Sequence, residues 1–349
     1  MTNKVFITGM GRSGTTLIEK LLTNHPEIDM LSQPFPLIFI FLKSIFLESL
    51  GIKKYYVLND DFENMNFEQK DFDLFLSKLV VDKIWIKKAF ENMINYSGQY
   101  TKNCHLDISE INKEIHGFLE IFEASLNRFN LKNKKYIGSK EVMCEEFTPY
   151  LCRNRFKSIV VVRDPRDVVV SANYPKEDKH FGNKKPTLFI LRTWRKSIDY
   201  LNYLRKNKNF IYIKYEDLVT DPYNTLNKIT FFLDLEPFAK NHFDAGIYDR
   251  DGSLWQANSS FDTKTSFISS QSVGGYKKIL SSDEINYIES ICKYEMDLMG
   301  YTLDTIPNKK IIKNFRDYFI ESSEHLDKNY SSLDENVEKE LARYGKYNN

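Results

Sequence analysis

Residues 9–16 read GMGRSGTT, and they stand between the apolar run VFIT at 5–8 and an amphipathic helical pattern. A strand, a glycine-rich turn and a helix start form a site for anions, because the helix N-terminus presents unpaired N–H groups. The P-loop pattern requires a Lys directly after its last Gly, but here Thr15 follows Gly14, and Arg12 stands inside the loop. The stretch therefore predicts a phosphate cradle with a guanidinium instead of the usual ammonium.

Four short β-rich runs alternate with helical patterns: VFIT (5–8), YIGS (136–139), SIVVV (158–162) and FIYI (210–213). The third run is apolar on both faces, as a central parallel strand is. Strands separated by helices predict an α/β fold with a doubly wound, mainly parallel sheet, similar to that of P-loop NTPases and flanked by helices. Ligands bind at the carboxyl ends of such strands, and each motif below directly follows one of these runs.

The pattern predicts one α/β domain over residues 1–306, followed by a polar C-terminal helix or tail over 307–349. Between the first two runs, the aromatic-rich segment 34–135 predicts a largely helical insertion, as in residues 71–94. Its most apolar stretch, 34–47, is too short to span a bilayer and contains a lysine. We therefore expect that stretch to form a core or pocket-lining helix.

The amino-acid composition limits which partners and which cellular compartment the protein is expected to have. The 349 residues include 49 basic and 48 acidic side chains, so no global charge attracts nucleic acid or an acidic membrane. The four cysteines are scattered without a C-x-x-C pair, which is typical of buried thiols in a reducing compartment. We expect a cytoplasmic protein with no signal peptide, no nucleic acid partner and no stable membrane insertion; a homo-oligomer remains open.

A second anion site is predicted at the end of SIVVV. Arg163 stands there, where a Walker B carboxylate would hold magnesium in a P-loop kinase. With Ser171 on the next helix, it predicts a clamp for a second phosphate and no metal. The alternative is that Arg163 pairs with Asp164 or Asp167 in a structural contact. A nucleotide with phosphates at both the 5′ and 3′ positions fits two anion sites.

Four motifs in order resemble those of the PAPS-dependent sulfotransferases, whose donor is 3′-phosphoadenosine 5′-phosphosulfate (PAPS). The family's 5′-phosphosulfate loop is similar to GMGRSGTT, with Gly11 where the family usually has Pro. Its 3′-phosphate motif resembles VVVRDPRDVVVS (160–171), and its Y-E-D-(L/M) motif resembles the start of YEDLVTDP (215–222). Its late G-x-(W/Y)-(K/R) segment resembles SVGGYKKIL (272–280), in which GGYK occupies 274–277. The resemblance implies donor binding by Arg12, Ser13, Gly14, Thr15, Thr16, Arg163, Ser171 and Tyr215.

One departure from the family precedes the late segment. Cytosolic members carry Arg-Lys-Gly there, which helps to hold the 3′-phosphate, whereas this chain has SSQ at 269–271. We expect Ser269, Ser270 and Lys277 to take over part of that role.

The resemblance implies in-line transfer of a sulfuryl group from PAPS to a hydroxyl or amine of a small-molecule acceptor, such as a secondary metabolite. The product is 3′-phosphoadenosine 5′-phosphate (PAP), and Arg12 would stabilise its developing charge. The protein-tyrosine branch places its basic Glu where this chain has Gln33, which cannot accept a proton. The cytosolic branch places a His where this chain, counted back from Arg163, has Glu141. Glu141 is the predicted general base, and Lys140 beside it would tune the base or contact the sulfate.

Several alternatives remain open at this point. His105 and His116 in the insertion are alternative bases, and Glu145 and Glu146 would suit a cationic acceptor. The insertion and the segment 240–272 are expected to shape the acceptor pocket. The alternative function is a magnesium-dependent P-loop kinase for small molecules. Two features argue against it: the loop has no Lys, and Arg163 follows SIVVV where a kinase would have a carboxylate. A nucleotide-binding protein without catalysis is a further alternative.

Overall fold

A five-stranded sheet with only parallel neighbours organises the chain. The computed structural model describes residues 2–34, 36–52, 57–82, 84–85, 114–122, 133–174, 184–256, 266–320, 330 and 334–348. The strands are β1 (Asn3–Thr8), β2 (Ile28–Ser32), β3 (Val80–Val81), β4 (Ile115–His116), β5 (Tyr136–Lys140), β6 (Lys157–Val162) and β7 (Phe210–Lys214). The five-stranded sheet has the order β2-β5-β1-β6-β7, so the carboxyl ends of all five strands lie at one edge.

Helices cover both faces of this sheet. They are α1 (Thr15–Thr23), α2 (Pro36–Ser49), α3 (Gln69–Lys78), α4 (Thr148–Arg153), α5 (Pro165–Asn173), α6 (Thr187–Leu204), α7 (Tyr215–Thr220), α8 (Pro222–Phe232), α9 (Ser282–Leu298), α10 (Lys309–Asn314) and α11 (Asp334–Asn348). On one face Ile7 of β1 shares a core with Leu21 of α1 and Ile229 of α8. On the other face Phe6 packs with Phe39 of α2, their ring centroids 5.9 Å apart. The predicted doubly wound α/β fold is confirmed.

The four predicted runs are strands β1, β5, β6 and β7, but the fifth strand of the sheet, β2, was not predicted. Its sequence, IDMLS, has a carboxylate near the middle, which breaks the apolar pattern of a buried strand. In the fold Asp29 is 1% exposed, and its two oxygens accept hydrogen bonds from Arg250 Nε at 2.7 Å and Nη2 at 2.8 Å. A partner far along the chain thus makes the charge compatible with burial.

The described part of the insertion begins with two helices. Helix α2 buries Phe39 and Leu42 in the core, as expected for the apolar stretch 34–47. The predicted helical pattern over 71–94 is interrupted, because α3 ends at Lys78 and β3 pairs antiparallel with β4, while residues 84–85 are helical again. Residues 86–113 and 123–132 lie outside the described residues, and so does His105. Within the described ranges, no helix combines the length and apolar character needed to cross a membrane.

The C-terminal segment contains α10 and α11. Helix α11 is polar in sequence, yet its Glu340 is 3% exposed. One oxygen of Glu340 accepts a hydrogen bond from Arg192 Nε at 2.8 Å, and the other accepts one from Arg195 Nη1 at 2.7 Å. Both arginines lie on α6, so α11 is attached to the domain by a buried charge network.

Candidate active site

The glycine-rich loop joins β1 to α1 through two glycines in positive-φ conformations. Gly9 has φ +148° and Gly14 has φ +91°. A Cβ on Gly9 would lie 2.3 Å from the carbonyl oxygen of Val161, and one on Gly14 would lie 2.4 Å from Cδ2 of Tyr215. Any side chain at either position would therefore collide with the neighbouring strand β6 or with Tyr215.

The loop ends at the start of α1, where anion-binding groups collect. Gly14 is the N-cap of α1, and no side chain among the described residues caps it. Thr15, which is buried, and Thr16, which is half-buried, form the first turn. Ser13 is completely buried, and its Oγ has no hydrogen-bond partner in the described part of the chain. The uncapped N–H groups and this hydroxyl suit an anionic ligand.

Arg12, Ser171, Arg163 and Tyr215 come together beside this loop. Arg12 Nε donates to Ser171 Oγ at 3.0 Å, and Arg163 Nη1 donates to the carbonyl oxygen of Arg12 at 3.2 Å. The Arg163 guanidinium lies over the Tyr215 ring, with its Cζ 4.5 Å from the ring centroid. The two predicted anion clamps, one on the loop and one at the end of β6, are thus in direct contact.

Electrostatics mark this contact as a site for negative charge. Burial and the nearby Arg163 lower the pKa of Arg12 to about 10, which still leaves it protonated at neutral pH. Arg163 is 5% exposed, makes no ion pair with a carboxylate of the described residues, and has a buried Nε without a partner there. A buried guanidinium without an ion pair among the described residues, next to a second, half-buried cation, is unfavourable, so the arrangement favours an anionic ligand.

Three charged residues of the RDPRD sequence, Asp164, Arg166 and Asp167, make structural contacts within the protein. Arg166 Nη2 pairs with Asp164 at 2.6 Å, and its Nη1 pairs with Glu289 of α9 at 2.6 Å. Asp167 accepts hydrogen bonds from two backbone N–H groups of the late GGYK segment. The alternative in which Arg163 pairs with Asp164 or Asp167 is therefore wrong, because other donors occupy both carboxylates.

The carboxyl end of β5 carries Lys140 and Glu141 next to the loop. Glu141 is 1% exposed, and its N–H donates to the carbonyl oxygen of Ile7 at 2.9 Å. Lys140 Nζ donates to Gln33 Oε1 at 3.1 Å, so the positions of the two family bases lie at adjoining strand ends. Burial lowers the pKa of Lys140 to about 8, although Glu19 and Glu141 oppose this shift.

Two of the predicted donor-binding residues lie at the surface. Ser270 is exposed, and the Lys277 side chain is 58% exposed, with its Nζ 3.0 Å from Asp304 Oδ2. Sequence reasoning missed Ser272, whose carbonyl oxygen accepts from Arg163 Nη2 at 2.9 Å and whose Oγ lies 2.8 Å from the Tyr215 hydroxyl. Its position two residues before GGYK was the available signal, whereas the departure from the family motif lies slightly earlier, at 269–271.

Three further candidates differ in their surroundings. His116 is exposed on the short strand β4. Glu145 and Glu146 are completely buried, and Lys196 Nζ lies 3.0 Å from Oε2 of the former and 2.9 Å from Oε2 of the latter. The expectation that these two carboxylates suit a cationic acceptor is wrong, because both are buried and already paired with lysines, Glu145 with Lys196 and Glu146 with Lys196 and Lys43.

A comparison with solved structures finds several sulfotransferases. The sulfotransferase domain from the curacin biosynthetic pathway is 18% identical, with 87% of this chain and 99% of that chain covered and a TM-score of 0.50. The sulfotransferase domain from the Synechococcus PCC 7002 olefin synthase is 20% identical, with coverages of 80% and 90% and a TM-score of 0.47. Mouse sulfotransferase SULT7A1, solved with PAP, is 13% identical, with coverages of 86% and 89% and a TM-score of 0.43.

The sequence itself decides the family. A comparison with curated proteins finds no match. A family model described as the sulfotransferase domain matches residues 2–300, which include the loop, all five strands of the parallel sheet and the GGYK segment. The chain therefore belongs to the sulfotransferase family.

Proposed function

We propose that this chain transfers a sulfuryl group from PAPS to a hydroxyl or amine of a small-molecule acceptor and releases PAP. The observation that carries the proposal is that buried Arg163 donates to the backbone carbonyl oxygen of half-buried Arg12, beside a helix N-terminus that no side chain of the described residues caps. PAPS has anionic groups at its 5′ and 3′ positions, which match the two cationic side chains in charge. Membership of the sulfotransferase family supports sulfuryl transfer over the kinase alternative.

The donor fits the polar atoms that the described residues leave without partners, Ser13 Oγ and Arg163 Nε. In this proposal the first-turn amides of α1, with Thr15 and Thr16, hold the 5′-phosphosulfate. Arg163 and Ser171 hold the 3′-phosphate, and Tyr215 lies towards the adenine. When bound, PAPS supplies the activated sulfuryl group, and positioning and charge stabilisation by the protein dominate such transfers.

The reacting protons and charges are assigned to residues at the strand ends. Glu141 accepts the proton of the acceptor hydroxyl or amine as the acceptor oxygen or nitrogen bonds to sulfur. Arg12 remains a cation at neutral pH and stabilises the negative charge that grows on the departing phosphate oxygen of PAP. Lys140 tunes Glu141 or contacts the sulfate. The insertion 34–135 and the segment 240–272 frame the acceptor pocket.

Thermal unfolding of the purified protein with PAP, ADP or ATP, each with and without magnesium, tests the function. A ligand at a hundred times its Kd adds about 2.7 kcal/mol to the free energy of unfolding, which raises the melting temperature. We expect PAP to give this increase whether or not magnesium is present. An increase with ATP alone, and only with magnesium, would establish the kinase alternative. Binding of PAP without turnover of PAPS on any acceptor would favour a binding protein.

Replacing Arg163 with Ala should lower the affinity for PAP by about 10- to 100-fold, the range for losing hydrogen bonds to a charged group. Adenosine 5′-phosphosulfate, which has no 3′-phosphate, should lose much less affinity. Isothermal titration with both nucleotides measures the difference. Arg153→Ala is the matched control, because Arg153 pairs with Asp73 on the surface and its side chain is 50% exposed. Equal losses of both nucleotides in Arg163→Ala would contradict the 3′-phosphate assignment.

A further inference from the structure

Residues 272–276, which we call the clasp, hold two donor-site side chains in place. The carbonyl oxygen of Ser272 accepts from Arg163 Nη2 at 2.9 Å, and its Oγ lies 2.8 Å from the Tyr215 hydroxyl. The Arg163 guanidinium has one other hydrogen bond in the described part of the chain, from Nη1 to the loop carbonyl of Arg12 at 3.2 Å. The direction of the Arg163 guanidinium therefore depends on the clasp at one end and the loop at the other.

The clasp itself is fixed by one buried carboxylate. Asp167, in the first turn of α5, is 1% exposed. Its Oδ2 accepts from the N–H of Gly274 at 2.8 Å, and its Oδ1 accepts from the N–H of Tyr276 at 2.9 Å. Gly274 has φ +69°, so the chain turns there and directs both N–H groups to the same carboxylate. Both oxygens are therefore used to hold the backbone of the clasp.

We propose that Asp167 is a positioning residue for the sulfate donor, acting through the clasp to orient Arg163 and Tyr215. This inference rests on the proposed function, since it assigns these two residues to the nucleotide. Asp167 makes no ion pair with Arg163, so the guanidinium keeps its hydrogen-bonding capacity for a ligand. The negative charge nearby still offsets part of the repulsion between Arg163 and Arg12.

Other contacts hold the surroundings of the clasp independently of Asp167. The Tyr276 hydroxyl donates to Asp304 at 2.7 Å, and its ring lies 4.2 Å from Cζ of Arg166. Arg166 is in turn fixed by Glu289. Loss of the Asp167 carboxylate should therefore move Ser272 without unfolding the domain, and this separates positioning from general stability.

The test compares Asp167→Asn with Asp304→Asn, since both remove a carboxylate that contacts this segment. Asparagine keeps one acceptor oxygen but directs an NH2 group at the second backbone N–H. We expect Asp167→Asn to weaken PAP by about tenfold and adenosine 5′-phosphosulfate by less than about threefold, a selective loss in the range of a charged hydrogen bond. Asp304→Asn should keep the ratio of the two affinities, because it leaves Ser272 in place.

A readout without nucleotide separates this inference from the proposed function. Amide hydrogen exchange in the peptides over 272–280 should be slow in the wild type and faster in Asp167→Asn, with a similar melting temperature for both. Three outcomes would overturn the donor role of Asp167. In Asp167→Asn these are an equal loss of affinity for both nucleotides or an unchanged affinity for PAP. The third is an Asp304→Asn variant in which the ratio of the two affinities changes as much as in Asp167→Asn. Failure of the wild type to bind PAP would overturn the proposed function, whereas unchanged exchange would overturn the clasp itself.

Discussion

Glu141→Gln is expected to lower turnover by a factor on the order of 10² or more, while the affinity for PAP stays nearly unchanged. Glutamine has nearly the same shape but cannot accept the acceptor proton. Glu141 is 1% exposed at the carboxyl end of β5, and its N–H is bonded to Ile7 of β1, directly before the loop. The substitution removes the base without changing this backbone contact. Steady-state kinetics with PAPS and calorimetric titration with PAP measure the two effects.

His116→Gln is the matched control, since His116 was the alternative base within the described residues. It is exposed on β4, and its removal should leave turnover close to that of the wild type. Full activity of Glu141→Gln would exclude Glu141 from the mechanism. A loss in His116→Gln together with activity in Glu141→Gln would assign the base to the insertion.

Lys196→Met is expected to lower the free energy of unfolding by about 3–5 kcal/mol, the range for breaking a buried ion pair from one side. Lys196 Nζ lies within 3.0 Å of Glu145 and within 2.9 Å of Glu146, and all three residues are completely buried. Burial alone would raise the pKa of Glu146, but Lys196 and Lys43 hold it below its usual value. Removing Lys196 leaves two buried carboxylates facing the single cation of Lys43.

Urea unfolding of Lys196→Met, followed by circular dichroism, measures this loss. Lys339→Met is the control, because Lys339 pairs with Glu335 one helical turn away and both side chains are more than half exposed. Such an exposed pair contributes about 0.3–0.5 kcal/mol. If the free energy of unfolding of Lys196→Met differs from that of the wild type by less than about 1 kcal/mol, and its slope with urea concentration is unchanged, the buried carboxylates are neutralised in another way.

Most of the fold that positions the site follows from local patterns. The first strand, the loop and the first helix can be predicted from VFIT, GMGRSGTT and the amphipathic pattern after them. Strand periodicity, glycine conformations and helix capping all depend on neighbouring residues, which the sequence shows directly. The alternation of strands and helices then predicts that Arg163 and Glu141 lie at the same edge as the loop. Strand β2 does not follow from such patterns, since Asp29 interrupts its apolar run and is compatible with burial only when Arg250 pairs with it.

The partners of polar side chains are what the sequence could not supply. Ser272 contacts Arg163 and Tyr215, and Asp167 holds Gly274, across separations of 57 to 109 residues. Glutamates usually lie at the protein surface, yet the fold buries Glu145 and Glu146 against Lys196. The sequence by itself determined four of the five strands of the parallel sheet, the glycine-rich loop and the strand ends that carry Arg163 and Glu141. Only the tertiary structure decided which charges are buried and which side chains neutralise them, because burial and pairing arise between residues that are distant along the chain.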